Sequence, residues 1–229
     1  WIDAMGSMLF DGTKLTWSSE LCELLALPIS KLPPVMAPSD IAGVVTKRAA
    51  DETGLAEGTR VLVGTTDTAM EVFGAGATEP GQCTIKLATA GRICVITDDS
   101  YPHKQLFNYR HVLPGRWYPG TGTKSCASSY RWFRDAFCGS EVEAARSTGS
   151  SAYKIMDAQA AKIPMGSEGL IFHPYLLGEL SPYNDPSLRA SFIGATMRHS
   201  KAHFARAVLE GVAFSLRDCM LLLEEIGMP

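Results

Sequence analysis

The run Arg60-Val61-Leu62-Val63-Gly64 is apolar and rich in β-branched residues, and it passes through Thr65-Thr66-Asp67 straight into a helical pattern, with no loop between. A strand that empties through a small-residue turn into a helix is the local signature of an α/β fold, whose sites cluster at the C-terminal ends of strands. Asp67 therefore has two readings. Its carboxylate can cap the first helical N–H groups, the commonplace role, or it can face a ligand at the strand end. The residues alone favour the cap.

Composition sets the scale for the rest. The chain has 229 residues, 46% hydrophobic and 20% charged, enough for one large or two small domains with a core that needs no staples. Lys plus Arg number 21 against 24 Asp plus Glu, a net charge of −3 with no like-charge run, which argues against nucleic acid as a partner. No apolar stretch is long enough to span a bilayer, and the N-terminus lacks the features of a secretion signal, so a soluble, cytoplasmic protein is expected. Six cysteines without CxxC spacing read as reduced core thiols. The chain opens at Trp1 and stops just after Gly227, and we expect a piece of a longer protein.

Along the chain, SMLFDGTKLTW predicts a strand and a Asp-Gly turn, with a short helix started by Ser18 or Ser19 and ended by Pro28. A connector with four prolines follows, then a strand from Ile41 entering a short helix closed by Gly54. CTIKLA and RICVIT predict a hairpin about Thr89-Ala90-Gly91, and LFNYRHV with RWYPGTG continues it as a meander. Lys124–Phe137 has helical spacing, and residues 139–168 predict surface helices broken by Gly149 and Pro164. LIFHPYL and SFIGAT are strands flanking a turn-rich loop, Gly178–Pro186, read as a rigid surface connector.

From Ser200 the pattern is a long amphipathic helix. Ala205, Val208, Leu209, Val212, Leu216, Met220 and Leu223 form the expected buried face, and Arg206 pairs with Glu210 on the other. Gly211 in its middle calls for a close backbone neighbour.

Three candidate motifs are weighed against plainer readings. Gly120-Thr121-Gly122-Thr123-Lys124-Ser125 lacks the glycines of a phosphate-binding loop at the required places and reads as a small-residue turn opening a helix, whose free N–H groups could still face a nucleotide. His199 and His203 share a helical face but have no Glu between them, so a helix start outweighs a zinc site. No Gly-x-Ser-x-Gly elbow supports a hydrolase.

Taken in order, these segments resemble the FGGY family of carbohydrate kinases, and most of all its xylulose-phosphorylating branch. The strongest block is GLIFHPYLLGELSPYNDPSLRASFIGATMRHSKAHFARAVLEGVAFSLRD, similar to the family's PYL-x-GE-x-x-P loop, short strand and H-x-x-A-H-x-x-R-A-V-L-E-G-V helix. GTRVLVGTTDTAMEVFGAG resembles the strand, turn and Asp that carry the family's catalytic base. LATAGRI stands where the family has a Gly-Thr-Ser-Gly hairpin, and TGTKSCASSYRWFRD resembles the helix start before a Trp-Leu/Phe-Arg-Asp.

The resemblance implies an α/β, actin-like ATPase (ribonuclease H-like) fold of two lobes, with a cleft that closes around both substrates. Residues 1–78 would be the end of the sugar-binding lobe and 79–229 the front of the nucleotide-binding lobe. The implied reaction is transfer of the γ-phosphoryl of Mg2+-bound ATP to a ketopentose, D-xylulose first, with Asp67 as general base and Thr68 touching the sugar. Thr89, Gly91, Ser125, Ala127 and Arg131 would bind the nucleotide. Ribulose, gluconate, glycerol or rhamnulose kinases, and a catalytically idle ATP sensor, are the alternatives; a homodimer is a family-level expectation. Leu180, Ala88 and Ala90 depart from the family's usual Arg, Gly and Ser, and Ala127 stands near a common Gly. By itself the segment lacks the upstream phosphate strand and the downstream adenosine motif, and is expected to be inactive.

Overall fold

In a computed structural model that describes residues 1–228, the chain forms two compact units interleaved in sequence. The first comprises Trp1–Gln82, Val95–Pro102 and Asn108–Pro119; the second comprises Cys83–Cys94, His103–Phe107 and Gly120 onward.

In the first unit, helix α1 (Ile2–Met5) precedes a hairpin of β1 (Phe10–Asp11) and β2 (Thr16–Trp17). The Asp11 carboxylate accepts the N–H groups of Thr13 and Lys14, both at 2.9 Å, and those bonds hold its pKa below the ordinary carboxylate value. Ser18 caps α2 (Ser19–Leu24) by accepting the Leu21 N–H. Strand β3 (Ile41–Val44) pairs antiparallel with β4 (Arg60–Leu62). Between them, α3 (Lys47–Thr53) is capped by Thr46 and closed by Gly54 at φ +77°, a left-handed turn that a side chain would strain. Ile41, Val44, Val61 and Leu62 on this pair are exposed.

The expected strand LFNYRHV is not one. Its pairing breaks into isolated bridges instead: Phe107 and Gly120 exchange backbone bonds at 2.8 and 2.9 Å, Arg110 bridges Trp117, and the His111 N–H donates to the Arg116 carbonyl at 2.9 Å. Arg110 also clamps the β1–β2 turn, donating from Nε to the Gly12 carbonyl at 2.7 Å while its guanidinium lies 4.4 Å over the Trp117 ring.

The second unit opens with an antiparallel sheet in the order β5 (Cys83–Leu87), β6 (Gly91–Val95), β7 (Gly120–Thr123). The β5–β6 hairpin is where the sequence puts it. Strand β7 is the end of the expected RWYPGTG strand and corrects the competing reading of Gly120–Ser125 as a helix-opening turn: Gly120–Thr123 is a wholly buried strand. Its glycines answer to packing, since a Cβ on Gly120 would lie 2.3 Å from the Ile93 carbonyl oxygen and one on Gly122 would lie 2.9 Å from that of Gly91. Helix α5 (Ala127–Phe137) begins later than expected, and α6 (Gly139–Thr148) and α7 (Ala152–Ala160) follow, separated at Gly149. Strands β8 (Ile171–His173) and β9 (Ser191–Ile193) form a hairpin against the long helix α8 (Lys201–Glu225).

The core of this unit joins Phe133, Met156, Leu170 and Phe172 to Ala205 and Val208 of α8. Gly211 has the close neighbour its position called for: a Cβ there would stand 2.2 Å from the Phe172 carbonyl oxygen. That approach sets the rotation of α8. Its buried stripe runs through Val208, Gly211, Ser215, Cys219 and Leu222, so Leu209 and Met220, expected inside, are each 40% exposed. Arg206 and Glu210 pair at 2.6 Å as expected.

All six cysteines are free. Five are buried, and burial pushes the Cys94 thiol up to about 11 and the Cys219 thiol up to about 12; Cys83 departs from the core-thiol reading by being exposed. No helix among the described residues is long and apolar enough to cross a membrane.

Gly211→Ala should cost about 3 kcal/mol, because neither α8 nor β8 can yield without dismantling the core, and chemical denaturation will measure it. A second expectation concerns acid. Burial lowers the His111 pKa from its ordinary 6.5, so the unfolded chain binds a proton that the folded one resists. The stability is fully present above pH 6.5 and is lost as pH falls through the lower folded value. His111→Asn keeps an acceptor for the Leu113 N–H and should flatten that part of a denaturation-midpoint-versus-pH curve.

Candidate active site

The residues singled out from the sequence fall into two groups, one in each unit. In the first, β4 leads through Gly64, at φ +73°, into α4 (Asp67–Gly74). The cap of α4 is Thr66, whose Oγ1 accepts the Ala69 N–H at 3.4 Å. This corrects the favoured reading of Asp67 as the cap. Asp67 is the first residue of the helix, exposed, with one oxygen accepting the N–H of Thr68 at 2.6 Å. Its charge sits where the helix dipole favours an anion. Beside it the Thr65 hydroxyl is buried without a hydrogen-bond partner.

In the second unit the structure gathers Thr89, Gly91, Ser125 and Ala127. The tip of the β5–β6 hairpin, Ala88-Thr89-Ala90, lies against the start of α5 through backbone bonds: Cys126 N–H donates to the Thr89 carbonyl at 3.0 Å and Ala127 N–H to the Ala88 carbonyl at 2.8 Å. The Ser128 hydroxyl also donates to the Thr89 carbonyl, at 2.7 Å. The amides at this helix start are therefore not free to cradle an anion, contrary to expectation, because the hairpin's carbonyls already use them.

Within the group, exposure differs. Thr89 and Ala127 are exposed, Gly91 is buried, and Ser125 is buried with its hydroxyl unpartnered. Arg131 lies one turn beyond Ala127 on the same face of α5 and is exposed. Ala127 and Tyr130 line an apolar groove of about 280 Å3 with Leu87, Leu209, Val212 and Leu216. Burial, reinforced by the hydrogen bond from its hydroxyl to Asp157 at 2.9 Å, drives the Tyr130 phenol far above its ordinary pKa, so it keeps its proton and donates it to Asp157.

One residue went unassigned in the sequence. Glu179, in the loop read as a surface connector, is 1% exposed. Its Oε1 accepts the Lys124 N–H at 2.9 Å and the Leu180 N–H at 2.7 Å, while Oε2 accepts the Thr123 hydroxyl at 2.6 Å. The loop is thus anchored internally, with Gly178 at φ +72° pressed against the Pro186 backbone. The available signal was an acid flanked by leucines, Leu176-Leu177-Gly178-Glu179-Leu180. His199 and His203 hold the start of α8: His203 Nδ1 accepts the Ser200 N–H, and His199 Nδ1 accepts the Thr196 N–H. 

The N-terminal domain of the FGGY family of carbohydrate kinases matches residues 2–74 and its C-terminal domain matches residues 93–229. The chain belongs to the FGGY family of carbohydrate kinases. It is 31% identical to a xylulose kinase of Bacillus subtilis over 98% of this chain and 44% of that protein. It is also 31% identical to a gluconokinase of the same organism, over 97% of this chain and 43% of the relative. The crystal structure of xylulose kinase from Rhodospirillum rubrum superposes with a TM-score of 0.82 at 31% identity, covering 96% of this chain and 43% of that one. The fold is thus the α/β, actin-like ATPase fold of these kinases, and the chain spans less than half the length of the relatives it matches.

The division of labour at the start of α4 is measurable. Thr66→Ala should cost about 1 kcal/mol of stability, whereas Asp67→Asn should change it by no more than about 0.5 kcal/mol. Thermal denaturation of the two variants side by side checks the order.

Proposed function

We propose that the protein containing this chain transfers the γ-phosphoryl group of ATP to the primary hydroxyl of D-xylulose, giving D-xylulose 5-phosphate and ADP. The observation that carries this reading is Asp67: an exposed carboxylate, relieved of capping by Thr66, at the end of a strand and Gly-Thr-Thr turn. In this reading Asp67 orients the attacking hydroxyl and takes its proton as the new O–P bond forms and ADP leaves. Thr68 contacts the sugar.

Residues 1–78 serve the sugar-binding lobe and 79–229 the nucleotide-binding lobe. On the nucleotide side, the small residues Ala88, half-buried, and Thr89 and Ala90, both exposed, leave room for phosphates to approach the hairpin, with Gly91 keeping its base narrow. Ala127 and the groove beside it receive the apolar face of the base, and Arg131 adds positive charge nearby. Ser125, buried behind this surface, supports it from within. Mg2+ is held mainly by substrate phosphates and water with few protein carboxylates, so it accompanies the nucleotide and supplies charge neutralisation. ATP as phosphoryl donor puts the reaction in the cytoplasm.

The similarity to gluconokinases supports a second reading, in which the acceptor is another sugar or polyol and Asp67 keeps its role. Coupled ADP-release assays on the full-length protein with D-xylulose, ribulose, gluconate, rhamnulose and glycerol distinguish the two. Asp67→Asn should lower kcat by about 10²–10⁴-fold with the fold intact. Near-normal turnover in that variant would remove Asp67 from the reaction, and ATP binding without turnover on any acceptor would favour a nucleotide sensor.

A further inference from the structure

We propose that Glu179 is a positioning residue for the nucleotide, acting through the hairpin that carries Thr89. The inference rests on the kinase reading above. Glu179 is a carboxylate buried to 1% exposure, with neutral donors on both oxygens and donors drawn from three separate elements. The Thr123 hydroxyl comes from the end of β7, the Lys124 N–H from the junction that leads into α5, and the Ser215 hydroxyl, at 3.4 Å from Oε2, from the middle of α8. The fourth donor is the N–H of Leu180, next in its own loop. A carboxylate offers about four acceptor positions, and here each is met by a donor.

What the carboxylate fixes is the junction Thr123–Ser125. The next three residues, Cys126, Ala127 and Ser128, hold the Ala88 and Thr89 carbonyls and so set where the hairpin tip stands. The chain of contacts is short and directional: Glu179 to Thr123 and Lys124, the α5 start to the hairpin, and the hairpin to the phosphates. The Ser181 N–H, donated to the Gly122 carbonyl at 3.1 Å, ties the same loop to β7 a second time. Glu179 touches no substrate. Its effect is to keep Thr89 and Ala127 in one register.

Two substitutions isolate this role. Glu179→Gln preserves size but turns one acceptor oxygen into an NH2 group, which forfeits both bonds from the Lys124 and Leu180 N–H groups on one side or requires the Thr123 and Ser215 hydroxyls to turn round and accept on the other. Thr123→Val keeps the branched shape and removes one donor. Met156→Ala, in the core beside Phe133 and Phe172, lowers stability without touching the junction and serves as the control. In the full-length protein, steady-state kinetics on whichever sugar it phosphorylates should show the KM for ATP raised about tenfold by Glu179→Gln and about threefold by Thr123→Val. The KM for the sugar should stay within about twofold in both, and Met156→Ala should leave both constants unchanged.

An unmoved ATP KM in Thr123→Val and Glu179→Gln, or equal rises for ATP and sugar, overturns the assignment and leaves Glu179 a purely structural residue. If Glu179→Gln does not fold, Thr123→Val decides on the same criterion. Wild-type protein without ATP-dependent turnover on any acceptor overturns the kinase reading and this inference together; active wild type with an unmoved ATP KM in the variants overturns this inference alone.

Discussion

The contact on which the second unit depends is the backbone interlock between the β5–β6 hairpin and the first turn of α5. A hairpin tip of three small residues has no side chains with which to hold itself, and a helix start has N–H groups without partners. Each solves the other's problem: the carbonyls of Ala88 and Thr89 take the N–H groups of Ala127 and Cys126. Because the bonds are backbone to backbone, they do not depend on the side chains of Ala88 and Ala90.

That interlock propagates inward. The junction behind it cannot shift without disturbing Glu179, and Glu179 cannot shift without disturbing β7 and α8. The sheet and the long helix are held in turn by close backbone approaches, Gly120 against Ile93 and Gly211 against Phe172. Glycine at these positions is a packing requirement. The unit therefore transmits position by rigid contact from the core at Phe172 to the exposed tip at Thr89.

The sequence was most legible where local chemistry and tertiary packing agree. Thr46 and Gly54 bracket α3 as their types dictate, the Thr89-Ala90-Gly91 turn joins two β-branched runs, and Gly211 announced a close neighbour by being a costly residue in a helix. It misled where packing overrides local type. Gly120–Thr123, read both as the end of a strand and as a helix-opening turn, is a buried strand in which Ile93 and Gly91 leave no space for a Cβ. The apolar stripe of α8 was correct in period but displaced, since the face that meets β8 had to include Gly211, Ser215 and Cys219. Glu179 carries no pattern of its own, because three of its four partners lie 36 to 56 residues away in sequence. At the site, the strand, turn and acid of the Asp67 segment were legible; which residue caps the helix was decided by backbone geometry at Thr66, a matter of one position.

The two helix starts nearest the candidate site solve the same problem in opposite ways, and the difference bears on the chemistry. At α4 a neutral hydroxyl, Thr66, and the Asp67 carboxylate satisfy the Ala69 and Thr68 amides between them, and the carboxylate keeps its second oxygen in the open. At α5 the amides are consumed by carbonyls of the chain itself. Neither helix start is thus an anion trap of the kind that free N–H groups make. The Asp67 carboxylate, by contrast, stands at a helix end whose dipole favours its charge, while the capping itself falls to the Thr66 hydroxyl.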